Sequence, residues 1–319
     1  MKKIKVALCG TSGHQIHEAM RQHSYGEVVA ICDFEKSKIP PHLQHVPCCD
    51  SLETLLKTID CDFVSICSAR RDEQIKSILL SLKAGKHTYA EKPAVTTEAD
   101  LDTLLACVRE NKVIFHEMGA YILPQPYALM HRMVSDGLLG DIVQVFSQKS
   151  YPWKDWRPHD EGIDGGLAMQ VGIYNARFIE HVTGETIASM ETMETQRGND
   201  IPNSACRRAV SMIYRLQNGG IASAVANYLC PSTWNKWGYE NLRIFGTKGF
   251  LESINSGEIL RLALEGQEVR DIQEQAFVES ELNVFLNDVQ EGKAQGMESR
   301  DRELSPTRWV IRSKKVRCR

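Results

Sequence analysis

The residues with the clearest chemical potential are Glu91, Lys92 and Pro93, which directly follow the short β-type run His87–Ala90. Proline suits the exit of a strand, because it has no N–H and cannot continue a central hydrogen-bond ladder. The X-Pro bond can also be cis at a cost of only about 0.5–1 kcal/mol. An acid and a base at a strand exit could serve a ligand, whereas a surface turn would simply solvate both charges. The sequence leaves these two interpretations open.

A second chemical signal is the loop G-T-S-G-H-Q-I-H at residues 10–17, which follows the first predicted strand. Backbone amides at a helix N-terminus attract phosphate, and glycines let a pyrophosphate approach the backbone. The full dinucleotide fingerprint is G-x-G-x-x-G. Gly10 holds its first place, but Ser12 and Gln15 replace the other two glycines, and Gly13 is additional. A tight strand-to-helix turn is therefore the alternative interpretation.

Asp33 favours the dinucleotide interpretation by its position at the end of the second predicted strand. It follows Gly10 at nearly the spacing of about 20 residues that separates the glycine loop from the ribose-binding acid. A carboxylate there accepts hydrogen bonds from ribose hydroxyls and repels a 2′-phosphate, and no arginine follows closely. We therefore expect NAD rather than NADP, with an acid in an ordinary strand-end turn as the alternative.

The region that must position these residues alternates between strand and helix patterns. Apolar residues at helical spacing separate the strands, and Gly85 is placed to end one helix. Such alternation predicts parallel strands with crossover helices, most often a doubly wound sheet that binds its ligand at the carboxyl ends of the strands. The predicted strands are Ile4–Cys9, Val28–Cys32, Phe63–Cys67, His87–Ala90 and Val113–His116.

The pattern changes after residue 120, where hairpin-like strands replace the alternation. The N-G-G sequence at 218–220 predicts a hairpin turn. We expect a doubly wound α/β domain over 1–120 and an α+β domain with a mostly antiparallel sheet over 121–319. In the second domain the predicted helices are Tyr127–Val134, 166–182, 277–290 and 301–315, and the predicted strands are Ile142–Ser147, Ala209–Leu216, Gly220–Tyr228, Leu242–Phe245 and Ile259–Leu262.

The composition excludes several classes of protein. The 319 residues are 42% hydrophobic and 25% charged with a net charge of −3, so no global field favours nucleic acid or anionic lipid. No apolar run reaches the 18 residues of a membrane span, and the N-terminus is a better first strand than a signal peptide. The ten cysteines include no C-x-x-C pair. We expect a cytoplasmic protein with buried free thiols and no metal site, although the adjacent Cys48–Cys49 could be a redox or metal feature.

The run A-G-K-H-T-Y-A-E-K-P-A at residues 84–94 resembles the most specific motif of the glucose–fructose oxidoreductase / inositol dehydrogenase family of two-domain nicotinamide oxidoreductases. The resemblance covers nearly the whole chain. The segment D-W-R at 155–157 and the glycine-rich segment at 165–174 look most like the branch that holds glucose–fructose oxidoreductase and dihydrodiol dehydrogenase. The further segments that carry it are His17, S-D-G-L-L-G-D-I at 135–142, D-W-R at 155–157 and G-G-L-A-M-Q-V-G-I-Y at 165–174.

The family resemblance implies an N-terminal Rossmann domain and a C-terminal domain whose large open sheet is an oligomer face, so we expect a homodimer or homotetramer. It implies a substrate cleft between the two domains, close to the nicotinamide. The expected activity is hydride transfer between NAD and a sugar, polyol or related ring alcohol or ketone.

Residue roles also follow from the resemblance. Tyr174 is the expected proton donor or acceptor and Lys92 its cationic partner, with the reverse assignment open. The expected substrate residues are Lys92, Trp156, Arg157, Gln170 and Tyr174. The expected cofactor residues are Gly10, Thr11, Ser12, Gly13, His14, Asp33, Ser68, Ala69, Arg70, Glu91 and Lys92.

The chain departs from the family pattern at several of these places. Gln170 and Arg177 stand where aspartates are usual, and Tyr174 stands where histidine is more frequent. The segment after the third predicted strand has Ser68–Ala69–Arg70 where threonine-proline-asparagine is usual, and Arg70 and Arg71 could contact a diphosphate, an anionic substrate or solvent. The departures keep two alternatives open: a non-catalytic dinucleotide or sugar sensor, and an NAD-using lyase or glycosidase that returns the hydride.

Overall fold

The protein is described here by a computed structural model over residues 3–21, 23–119, 124–234, 237–292 and 297–314, with the backbone alone for 297–299. Packing divides the chain into two compact units. The first unit comprises Met1–Tyr121 and Glu279–Leu304, and the second comprises Ile122–Val278 and Ser305–Arg319. The sequence-based division assigned everything after residue 120 to the second domain, whereas the structure groups Glu279–Leu304 with the first unit.

A parallel sheet forms the centre of the first unit. Its spatial order is β3-β2-β1-β4-β5-β6, and every neighbouring pair is parallel, so the doubly wound prediction is confirmed. The two-residue edge strand formed by the adjacent cysteines had not been predicted. The strands are β1 (Ile4–Cys9), β2 (Gly26–Cys32), β3 (Cys48–Cys49), β4 (Phe63–Ile66), β5 (His87–Ala90) and β6 (Phe115–Glu117).

Crossover helices with well-defined ends connect these strands. Ser51 caps the second helix through Thr54 N at 3.1 Å, and Thr97 caps the fourth through Asp100 N at 3.1 Å. Gly85 has φ +72° just after the third, as its predicted role in ending that helix requires. The helices are α1 (His17–Arg21), α2 (Leu52–Thr58), α3 (Gln74–Lys83) and α4 (Glu98–Asn111).

An eight-stranded sheet forms the second unit in the order β14-β13-β12-β11-β7-β10-β9-β8, and only its β7–β10 pair is parallel. The mostly antiparallel prediction is confirmed, and β9 and β10 form the predicted hairpin. The sequence had missed the eighth, twelfth and fourteenth strands. The strands are β7 (Ile142–Ser150), β8 (Ile187–Thr195), β9 (Ala209–Leu216), β10 (Ile221–Asn227), β11 (Tyr239–Gly246), β12 (Gly249–Ile254), β13 (Ile259–Leu264) and β14 (Arg270–Asp271).

The helix predicted over 166–182 is divided into shorter segments. Val171 has φ −113° and ends one segment, and Gly172 starts the next where it packs against Met212 of β9. The helices of this unit are α5 (Tyr127–Ser135), α6 (Glu161–Asp164), α7 (Gly166–Gln170) and α8 (Gly172–Arg177), followed by a π-helical turn at Phe178–Val182.

Two helices lie late in the chain, α9 (Glu281–Glu291) and α10 (Met297–Ser313). Phe285 of α9 is fully buried and packs its ring 4.9 Å from that of Phe63 and 5.1 Å from that of Tyr89, which explains why this helix belongs to the first unit. Within the described ranges, none of the helices has the length and apolarity needed to cross a membrane.

Candidate functional site

The glycine loop at 10–14 turns tightly between β1 and α1. Gly10 has φ +74°, and a Cβ there would collide with the carbonyl oxygen of Cys67 at the end of β4. Ser12 N donates to the same carbonyl oxygen at 3.0 Å. The loop therefore approaches the neighbouring strand end so closely that only glycine fits at position 10.

Gln15, which replaces the third glycine, bends back into the loop. Its Nε2 donates to Gly10 O at 2.9 Å, and its Oε1 accepts from the buried Ser65 hydroxyl at 2.7 Å and from Ile16 N at 2.9 Å. The substitution thus fills the space under the turn with a side chain whose polar atoms are satisfied by the loop and by β4.

Glu91 connects the opening motif to the glycine loop. Its carboxylate is fully buried and accepts a hydrogen bond from His14 N at 2.6 Å, with His14 Nδ1 2.9 Å away. Burial would raise the pKa of Glu91, but the hydrogen bond and charge of His14 and the cations Lys92 and Arg71 outweigh burial and lower it. Gly13, at φ +104°, leaves space for this carboxylate, because a Cβ there would lie 2.6 Å from Glu91 Oε2.

Arg71 holds three chain segments together, which the sequence had not revealed. The side chain is 2% exposed, and its guanidinium donates to Ser68 O, to Ser12 O at 2.7 Å and to Lys92 O at 3.4 Å. These carbonyls belong to the β4 exit, the glycine loop and the β5 exit. Of the interpretations left open for Arg71, solvent exposure is excluded by this burial.

Gln74 completes the support of the β5 exit. It is fully buried, its Nε2 donates to Glu91 O at 2.7 Å, and its Oε1 accepts from Ser68 N at 3.2 Å. Lys92 is 4% exposed and precedes a cis peptide bond to Pro93. The exit is thus a buried turn and not the surface turn that the sequence had left open.

The other predicted cofactor residues line the same edge of the sheet more openly. Asp33 has φ +55° and an exposed side chain, and its Oδ2 accepts from Cys9 Sγ at 3.3 Å. Thr11 and Ala69 are exposed. Arg70 lies partly exposed and pairs with Asp72, with Nη2 2.7 Å from Oδ2.

These residues fit a bound NAD. Gly10 and Gly13 lie in a tight turn, in which a Cβ at either position would collide with neighbouring atoms. The exposed Asp33 carboxylate directly follows β2, at the position where an acid binds the ribose in dinucleotide-binding folds. Gly10, Ser12, Gly13 and His14 would hold the diphosphate, and Asp33 the adenosine ribose. When bound, the cofactor supplies the hydride acceptor or donor.

A buried charge group supports β6 in the first unit. His116 is 2% exposed, with Nδ1 3.2 Å from Glu303 and Nε2 3.3 Å from Asp288. Burial would lower the pKa of His116, but the two carboxylates outweigh it and raise the pKa to about 9. Glu117 N donates to Glu303 at 3.0 Å, and the Glu117 carboxylate accepts from Ala94 N at 2.7 Å. This group therefore extends to the segment that follows Pro93.

Among the described residues of the first unit, two clusters of side chains could ligate a metal, although the sequence predicted no metal site. His17, Glu18 and His42 form one, and Cys9, Cys32 and Asp33 the other. The sequence could not reveal them because each cluster combines two adjacent residues with a third that is distant along the chain. Cys9, Cys32, Cys61, Cys67 and Cys107 are buried free thiols, as predicted.

Tyr174 lies in α8 of the second unit beside two residues that the sequence analysis had missed. Lys149, 5% exposed and ion-paired with Glu240, places its Nζ 4.4 Å from the centre of the Tyr174 ring. Tyr151 is hydrogen-bonded to Tyr174, and burial together with Tyr174 raises the pKa of Tyr151. Arg177 is buried with its guanidinium 5.8 Å from the Tyr174 ring, and Gln170 is half-buried.

Trp156 and Arg157 occupy an aromatic cluster in the same unit. The Arg157 guanidinium lies 3.8 Å from the centre of the Tyr228 ring and 5.6 Å from that of Tyr151. Tyr151 therefore touches both the predicted substrate residue Arg157 and the predicted catalytic residue Tyr174. No sequence signal pointed to Tyr228, because it lies 71 positions from Arg157 along the chain.

Comparison with known families identifies the class of this protein. Residues 4–118 match the oxidoreductase family with an NAD-binding Rossmann fold, and residues 127–252 match the GFO/IDH/MocA C-terminal domain. The chain belongs to this oxidoreductase family, and the resemblance suggested by its motifs is confirmed.

Individual relatives are distant. The dTDP-3,4-didehydro-2,6-dideoxy-alpha-D-glucose 3-reductase of Streptomyces violaceoruber is 28% identical over 130 residues, which are 39% of this chain and 38% of that protein. Trans-1,2-dihydrobenzene-1,2-diol dehydrogenase of Xenopus tropicalis is 26% identical, covering 71% of this chain and 66% of that protein. The match thus spans about a third to two thirds of these curated relatives.

Solved structures share the fold over nearly the whole chain. The aldose-aldose oxidoreductase of Caulobacter crescentus, solved with glycerol, superposes with a TM-score of 0.79 at 18% identity and covers 98% of both chains. At this identity the likeness shows the common architecture alone.

Proposed function

We propose that the protein is an NAD-dependent dehydrogenase or reductase that transfers a hydride between nicotinamide and a hydroxyl or carbonyl carbon of a sugar, polyol or related ring compound. The observation that carries the proposal is the buried Glu91–Lys92–Pro93 turn, which is hydrogen-bonded to the glycine loop through His14 and Arg71. The sugar-related name of the Streptomyces violaceoruber relative supports the substrate class.

Tyr174 and Lys92 are the proposed catalytic residues. Oxidation of an alcohol carbon requires a group that removes the hydroxyl proton, and the reverse reaction requires one that returns it. In the proposal Tyr174 transfers this proton, and the Lys92 ammonium orients the substrate oxygen. Trp156, Arg157 and Gln170 contact the substrate.

The proposed cofactor preference rests on Asp33, whose exposed carboxylate would repel a 2′-phosphate. Ser68, Ala69 and Arg70 follow β4 at the same sheet edge and are proposed to contact the cofactor. The buried free thiols agree with a reducing compartment, and the proposal assigns the enzyme to the cytoplasm, with no membrane or nucleic-acid partner.

A homodimer or homotetramer through the eight-stranded sheet is part of the proposal. One side of this sheet exposes the large apolar residues Phe146, Met193, Ile213 and Ile221, which a second copy could cover. Light scattering after chromatography tests this, with Ile213→Lys expected to shift the protein to a smaller species. A wild-type monomer would contradict it.

The decisive experiment combines cofactor titration with turnover. In the titration, monitored by nicotinamide fluorescence, NADH should bind in the micromolar range and NADPH more weakly. In the turnover assay, at least one member of a panel of sugars and polyols should reduce NAD to NADH. Lys92→Met should lower kcat by about 10²–10³, because it removes the cation that orients the substrate oxygen, while NADH still binds. Lys83→Met, which removes an exposed lysine, is the matched control. Unchanged turnover in Lys92→Met would refute the catalytic assignment, and cofactor binding without turnover of any substrate would favour a sensor.

A further inference from the structure

Arg157 of the second unit is a buried cation without an acidic partner. Its side chain is 7% exposed, its Nη2 makes a long hydrogen bond of 3.4 Å to Pro152 O, and its Nε has no hydrogen-bond partner. Its other hydrogen-bond partner is the neutral phenol of Tyr228. Across the described ranges, no carboxylate lies within ion-pair distance of Arg157. A buried charge is normally paired, because its removal from water is costly.

The aromatic rings around Arg157 do not supply the missing negative charge. Tyr228, Trp156, Tyr151 and Trp237 lie between 3.8 and 5.8 Å from the guanidinium. A ring attracts a cation through its quadrupole, which returns only part of the cost of burial. Burial raises the pKa of Tyr228 and of Tyr151, so both remain neutral phenols at neutral pH.

Acidic residues on the nearby segment 160–164 are engaged by other groups. Asp160 Oδ1 accepts from Gly162 N at 2.8 Å, and Asp164 Oδ1 accepts from Gly166 N at 2.9 Å. Glu161 pairs with Lys314 at 3.2 Å. The described part of the chain therefore builds a cationic position and leaves its counter-charge to something else.

An exposed aromatic platform lies beside this cation. Trp156 is 67% exposed and Trp237 is 58% exposed, and their rings stack with centres 6.3 Å apart at 29°. Binding sites for small molecules combine such apolar rings with a few polar groups that fix orientation. Tyr151 links the cluster to Tyr174 through the hydrogen bond described above.

We propose that Arg157 with the Trp156–Trp237 platform is a subsite for an anionic sugar, whose carboxylate or phosphate pairs with the guanidinium while its ring packs on an indole face. A guanidinium suits either anion, since its planar N–H groups can make two parallel hydrogen bonds. The inference rests on the proposed function and names the class of its substrate, which thus carries a negative charge.

The test is a titration of the full-length protein with glucose 6-phosphate, glucuronate and galacturonate, and with glucose and galactose as neutral partners. Tryptophan fluorescence follows binding, because two of the five tryptophans form the platform. At least one anionic sugar should bind ten or more times more tightly than its neutral partner. The phosphate and carboxylate arms show which anion is preferred, and equal or weaker binding of all the anions overturns the inference.

Variants test whether Arg157 is the source of the preference for anionic sugars. Arg157→Gln should abolish the preference for the anion, whereas Arg208→Gln, which removes a guanidinium stacked 4.2 Å from the Trp153 ring, should retain it. Trp237→Ala alters an exposed residue and should weaken anionic and neutral sugars alike while the charge preference remains. A preference that survives in folded Arg157→Gln would refute the subsite.

Failure of this inference can be distinguished from failure of the proposed function. Anion-selective binding without any turnover of sugars with NAD or NADH would leave the subsite in place and contradict the enzyme activity. Turnover with NAD or NADH that is restricted to neutral sugars would support the enzyme activity and contradict the subsite.

Discussion

Two buried arginines, Arg71 in the first unit and Arg157 in the second, show how differently the two units treat charge. Arg71 donates to three backbone carbonyls and acts on the nearby Glu91 carboxylate. Arg157 has aromatic neighbours, a long hydrogen bond to Pro152 O and a hydrogen bond to the Tyr228 phenol, but no carboxylate partner among the described residues. The chain itself thus supplies the partners of Arg71, whereas we propose that a bound anion supplies the partner of Arg157.

The sharpest test of this contrast is the stability of two matched variants. Arg71→Met removes the bonds that join three segments and should lower the free energy of unfolding by about 3–5 kcal/mol, the range for breaking a buried charge network. Arg157→Met should leave it unchanged or raise it, because the aromatic rings offset only part of the cost of burying this charge and an apolar side chain removes that cost. Urea unfolding measures both, and equal losses would remove the contrast.

The first unit contains a second compensated cation, His116, whose effect depends on pH. Its pKa is raised to about 9 in the folded protein. The stabilisation is therefore complete below the ordinary histidine pKa of about 6.5 and is lost as the pH rises through about 9. The free energy of unfolding should fall by up to about 3 kcal/mol over this interval. His116→Gln should flatten that fall, and an unchanged pH profile in this variant would exclude the histidine as its source.

Two glycines of the first unit test how tightly the site is packed. The Glu91 carboxylate occupies the space that a Cβ at Gly13 would need, whereas the space beside Gly85 is open. Gly13→Ala places a Cβ 2.6 Å from the carboxylate at φ +104°, while Gly85→Ala introduces a methyl at φ +72° with no atom within 4 Å. Both carry backbone strain, but Gly13→Ala should cost about 2 kcal/mol more and weaken NADH binding. If Gly13→Ala and Gly85→Ala changed the stability and the NADH affinity equally, the Glu91 side chain would be able to move aside at little cost.

The smallest expected effect concerns Asp33, an exposed group that acts on the ligand alone. Asp33→Asn should lower the ratio of NADPH to NADH dissociation constants about tenfold with little change in unfolding, because only a charge beside the ribose is lost. Asp50→Asn removes an exposed charge just after β3 and is the control. An unaltered ratio would transfer cofactor selection to another residue.

Local sequence signals predicted the elements of the site better than its connections. Pro93 and the β-type run before it predicted a strand exit at residue 91, and β5 ends at Ala90. The hydrogen bonds of Arg71 could not be predicted from local signals, because its partner Ser12 lies 59 positions away along the chain. Charge alone could not distinguish a solvated arginine from a buried one, because only the folded loop supplies the carbonyls.

The second unit illustrates the same limit. D-W-R pointed to Trp156 and Arg157 through resemblance, but Tyr228 and Trp237 come from later strands and loops. The strand β8, Ile187–Thr195, was missed because threonine, methionine and glutamate weaken its alternating pattern. Pairing with β9, a non-local interaction, determines this strand.

The course of the chain also has a consequence for synthesis on the ribosome. Phe285 covers Phe63 and Tyr89 in the first unit, yet it is made only after the whole segment 122–278 of the second unit. A nascent chain can therefore build β1–β6 early but leaves an apolar surface open until α9 emerges. Folding of the NAD-binding half should accordingly finish late in translation, in contrast to the common order in which an N-terminal domain is completed first.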